Sequence, residues 1–179
     1  MKKLLMTLAV ILTVGTTLQA QTKEDMQASQ ERCEKLQKLL DKKPKSTGVS
    51  DVDAYVDWVN TAAIASIANT EQLQNLYYRS IGETKDGVTD VTIKKPTLEE
   101  LTALSATITA QAVSIKEATG TAEKAMSASG KEKNPMKAGK IAKAMAYTKD
   151  AYPILVEESA AQTKAIGEMI ETAKTAKNL

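Results

Sequence analysis

Apolar residues recur along this chain at steps of three and four, the spacing of one helix face, over four successive stretches. The clearest runs from Thr97 to Met126. There Leu101, Leu104, Ile108, Ala112, Ile115, Ala118, Ala122 and Met126 form the stripe. Thr97 with Glu100 three residues on is a capping box that marks the helix start. The stripe is built of small side chains, so this helix needs close neighbours to cover it.

Before it, Thr22 to Lys42 predicts a first helix, with Met26, Ser29, Cys33, Leu36 and Leu40 facing inward and Thr22/Asp25 as a capping pair. Pro44 and Gly48 break the pattern. Ser50 with Asp53 then predicts the start of a second helix over 51–81. Its inner face is Val52, Tyr55, Val56, Val59, Ala63, Ile67, Thr70, Leu73, Tyr77 and Ile81, widened by Trp58 and Ile64, and Gly82 stops it. The stretch 82–96 is a long connection with a turn signal at Asp86-Gly87 and a short alternation around Val91 and Ile93, which suits a hairpin. The third helix is expected to fray near Gly120 or end near Gly130. Asn134-Pro135 then caps a fourth, whose stripe runs through Ile141, Met145, Thr148, Tyr152, Leu155, Ser159, Gln162, Ile166, Met169 and Ala173. Pro153 lies inside it and predicts a kink or break near 151–153.

Mostly short turns between long helices favour antiparallel neighbours. The expected fold is all-α: an antiparallel up-down-up-down four-helix bundle with its last helix kinked or broken at Pro153. It forms one domain over 21–179.

Residues 1–20 read differently. Lys2 and Lys3 precede an apolar run, Leu4 to Val14, too short to cross a bilayer, and Thr16 to Ala20 suits a cleavage region. This is the pattern of a bacterial signal peptide cut between Ala20 and Gln21, so the expected location is periplasmic or secreted. Cleavage alters the charge: 24 basic and 22 acidic residues become 22 and 22 once Lys2 and Lys3 are gone. Nucleic-acid binding thereby loses its compositional support. No segment after the cleavage site approaches the length of a membrane span.

Composition narrows the chemistry. There is no His and one Cys, Cys33. Ser-His-Asp and Cys-His catalysis are excluded, as are the usual zinc sites, and no cofactor or metal is expected. Cys33 on the inner stripe reads as a small core residue, with an intermolecular disulfide and a homodimer as the alternative in an oxidising compartment. Asp86 and Asp90 lack the ligand ladder of a calcium loop. Glu99-Glu100, Glu157-Glu158 and Asp51, Asp53, Asp57 could serve acid–base hydrolysis only if the fold paired them suitably. Helix first turns explain Asp51, Asp53 and Glu99-Glu100 more simply.

Charge distribution says more. Every charged residue from Asp51 to Tyr78 is acidic, whereas Lys131 to Asp150 holds six Lys against two acidic residues, a net of +4. Lys133, Lys137, Lys140 and Lys143 gather at the start of the fourth helix and form a candidate docking patch for anionic lipid, glycan or an acidic partner. Tyr55 and Trp58 on the second helix and Tyr147 and Tyr152 on the fourth fall at similar heights. They form a candidate pocket for a small apolar or amphipathic ligand. The leading expectation is therefore a non-enzymatic, exported bundle that binds a protein or envelope component. Ligand binding through the aromatic pocket is the alternative, and a carboxylate-based hydrolase stands third.

Overall fold

A computed structural model describes residues 22–176, and the signal segment lies outside them. The described residues form a helical bundle of four helices: α1 (Lys23–Leu40), α2 (Ser50–Ile81), α3 (Leu98–Lys131) and α4 (Pro135–Ala176). No strand forms among them; a single antiparallel bridge, Glu83 to Thr89, occurs in the α2–α3 connection. There the Thr84 N–H donates to the Val88 carbonyl at 2.8 Å, and Gly87 takes φ 78°, the left-handed turn that the Asp-Gly pair favours. The expected hairpin is thus reduced to one bridge.

Both capping boxes form, Thr22 with Asp25 on α1 and Thr97 with Glu100 on α3. Gly82 ends α2 at φ 73°. The expected Ser50/Asp53 cap does not form. Val49 is the N-cap of α2 and offers no side-chain bond, while Asp53 turns back to the preceding loop. Its carboxylate accepts from Thr47 N, Thr47 Oγ1, Ser46 Oγ and Gly48 N at 2.6–3.1 Å. These bonds lower its pKa against the opposing effect of burial. A loop with many free N–H and O–H groups outcompetes the helix end for this carboxylate.

Of the kink or break expected at Pro153, the break does not occur: α4 stays helical through it. Pro153 is exposed, and so is Lys149, whose carbonyl loses its helical partner. That carbonyl can turn to water, which is how a helix tolerates an interior proline on its outer face. α3 likewise passes through Gly120 without fraying.

Core positions follow the predicted stripes with informative exceptions. On α3 the buried run is Leu101, Leu104, Ile108, Gln111, Ile115, Ala118 and Ala125. Gln111 replaces Ala112 as the inward residue, and Met126 is exposed. An uninterrupted three–four alternation from Leu101 reaches Ala125 rather than Met126. Ile64 and Ile81 are exposed too.

α2, α3 and α4 pack pairwise on one another, and α1 lies in the groove between α2 and α4 without touching α3. The interior divides in two. One apolar cluster joins Leu36, Val52–Ala63 of α2, Ile115, Tyr147 and Leu155. The other joins Met26, Leu73, Tyr77, Leu101, Ile108, Ile166 and Met169. Between them lies a polar waist.

Candidate functional site

The waist is centred on Glu158, which is 0% exposed. Its Oε1 accepts from Ser29 Oγ and Thr70 Oγ1, both at 2.7 Å, and its Oε2 from Arg32 Nε at 2.6 Å. Gln162, one turn on, donates to the Ser66 carbonyl and to Thr70 Oγ1, each at 2.8 Å. Asn69 donates to Gln111 Oε1 across α2 and α3. A buried charge is tolerated only when paired and hydrogen-bonded. Here α1 supplies the guanidinium and one hydroxyl, so covering Glu158 depends on docking α1. Periodicity could not reveal Glu158, because its partners lie 88–129 residues away in sequence.

This geometry separates the carboxylate pairs. Glu157 is exposed while Glu158 is buried, so the two do not face one substrate. Glu100 is bound by Arg79, whose two terminal nitrogens reach its oxygens at 2.9 and 3.0 Å. Asp57 pairs with Lys43 at 2.8 Å. Among the described residues no three acidic or Cys side chains gather as a metal site. Cys33 is buried, and burial pushes its thiol up to about 11. A bond to a second chain would require α1 to move.

The candidate aromatic residues do gather. Tyr55 stacks on Trp58 with ring centroids 6.3 Å apart and an 11° interplanar angle, and Trp58 meets Tyr152 at 6.3 Å, tilted by 47°. Trp58 Nε1 donates to Ser114 Oγ at 3.3 Å, and the Tyr152 hydroxyl donates to the Ile115 carbonyl at 3.1 Å. Tyr147 belongs to the same apolar cluster, and its buried hydroxyl has no partner among the described residues. Burial pushes Tyr55 up to about 12 and raises Tyr147 as well. Two clefts lie elsewhere, along the C-terminal half of α2.

The lysine group divides. Lys137 is half-buried: its Nζ donates to the Gly48 carbonyl at 3.2 Å and lies 3.4 Å from Glu132. It ties the α1–α2 loop to α4. Lys133, Lys140 and Lys143 are exposed, and none pairs with a carboxylate among the described residues. Met136 is 83% exposed beside them. Met136, Lys140 and Lys143 stand at i, i+4 and i+7, one face of the first turns of α4. Asp53 is held by the 46–48 loop, and Glu132 lies against Lys137. Met136 was outside the predicted patch because charge alone defined it.

Comparison with protein-family models, curated proteins and solved structures finds no match. Among the described residues no helix is long and apolar enough to cross a membrane.

Proposed function

We propose that this protein is an exported, non-catalytic docking module whose basic end settles on an anionic membrane surface of the cell envelope. The observation that carries the reading is the α4 face that the exposed Met136 shares with Lys140 and Lys143, one and two turns on, neither of which pairs with a carboxylate among the described residues. Lysines alone suit any polyanion. An exposed thioether among them suits lipid headgroups, where the charge meets phosphate and the apolar tip meets the acyl boundary.

The body behind that end reads as an up-down-up-down bundle. Three pairings support this: Arg79 at the end of α2 meets Glu100 at the start of α3, Leu101 early on α3 shares an apolar cluster with Met169 late on α4, and Gln74 late on α2 meets Met26 early on α1. Export rests on the charged, apolar and small-residue order of residues 1–20.

Each lysine near an anionic surface contributes about 1 kcal/mol at physiological ionic strength. Changing Lys133, Lys140 and Lys143 together to Gln should therefore weaken binding to phosphatidylglycerol-containing vesicles roughly a hundredfold. The helical circular dichroism should stay unchanged, because Lys137 and its loop contact are kept. Equal binding of variant and wild type would sink the proposal.

A further inference from the structure

We infer that the cleft between the C-terminal half of α2 and the 82–96 connection is a binding site for a short zwitterionic peptide. It lies apart from the basic patch and does not depend on it. The cleft is open to solvent on one side and offers about 640 Å³, within the usual range for a small-ligand site. One wall is α2, where Glu71, Gln74, Asn75 and Tyr78 follow at steps of one helical turn. The other is the connection, with Lys85, Ile93 and Lys94.

This connection is built rather than loose. Arg79 donates from Nε to the Lys94 carbonyl at 3.0 Å while its other nitrogens grip Glu100. Asp90 N donates to the Gly82 carbonyl at 3.0 Å, and Lys23 holds Glu83 at 2.6 Å. The walls are thus fixed before a ligand arrives, which lowers the ordering cost of binding.

What the walls offer is charge of both signs around an apolar middle. Glu71 has no ion-pair partner among the described residues, and neither do Lys85 and Lys94. Tyr78 and Ile93 supply the apolar surface. Gln74, 4% exposed, also lines the cleft, and its Oε1 accepts from no donor among the described residues. A free ammonium meets Glu71, a free carboxylate meets Lys85 and Lys94, and the side chains between lie on Tyr78 and Ile93. The Gln74 amide itself stays on α1, where its Nε2 donates to the Met26 carbonyl at 3.3 Å and to Gln30 Oε1 at 3.1 Å. A lone carboxylate or a lone amine would leave one wall unanswered.

The test is an amide-resolved NMR titration of the purified protein with the dipeptide Leu-Leu, set against N-acetyl-Leu-Leu-amide. Leu-Leu should shift amides within residues 71–94, and the blocked form should not. Lys85→Ala with Lys94→Ala should weaken binding by at least about tenfold, and Glu71→Gln should do so through the other terminus. All three side chains are exposed, so the variants keep the fold, which their unshifted core amides report. Absence of shifts at millimolar Leu-Leu, equal shifts from the blocked form, shifts centred elsewhere, or undiminished binding by the variants would each overturn the assignment.

Discussion

Glu158 is the residue on which the interior turns. Its three donors come from α1 and α2, and only Arg32, with a side chain 20% exposed, retains contact with water. Removing one partner of a buried pair strands the other charge. Arg32→Ala should therefore lower unfolding free energy by about 3–5 kcal/mol. The joint change Arg32→Met with Glu158→Leu removes both charges and should cost less than Arg32→Ala alone, the remaining cost coming from the Ser29 and Thr70 hydroxyls that lose their acceptor. Chemical denaturation of the three proteins checks this, and an Arg32→Ala variant as stable as wild type would show that the pair contributes nothing. The same residue shows the limit of reading patterns. Apolar stripes located Leu155, Ile166 and Met169. They passed over Glu158 and Gln111, whose burial is decided by hydroxyl, guanidinium and amide groups on other helices. Tyr55, Trp58 and Tyr152 were legible as a group because large rings at matching heights have few other places to go.

At the scale of elements, ends were more legible than interiors. Thr22, Thr97 and Gly82 each carry a local chemical reason to start or stop a helix, and each does so. Val49 carries none, and Asp53 was diverted by a loop whose bonds no helix rule describes. Pro153 misled for a related reason: its effect depends on whether the orphaned carbonyl can reach water, which is a matter of which face it occupies. The joint between α2 and α3 makes a pH prediction. The Arg79 guanidinium, followed by the Thr97 backbone N–H, holds Glu100 down at about 2 against an ordinary 4.5. Because the folded value lies below the unfolded one, this contribution is complete above about 4.5 and is lost as pH falls toward about 2. Carboxyl-resolved NMR should find Glu100 titrating near 2, and Arg79→Gln should return it toward 4.5. A Glu100 titrating normally in the wild type would mean that the ion pair does not persist in solution.

For the whole molecule, the two apolar clusters with a charged waist specify how α1 lies on α2 and α4. The sequence already placed lysines at the start of α4. It could not show that Lys137 is consumed by the loop at Gly48, nor that Met136 stands exposed among the others. On the docking proposal, the basic end of α4 meets an anionic membrane. The direct measurement is cosedimentation of the wild-type protein with phosphatidylglycerol-containing and with pure phosphatidylcholine vesicles, from about 20 mM to about 500 mM salt. The prediction is binding to the anionic vesicles alone, released as screening rises. Equal binding to both, or no binding to the anionic vesicles at low salt, would contradict it.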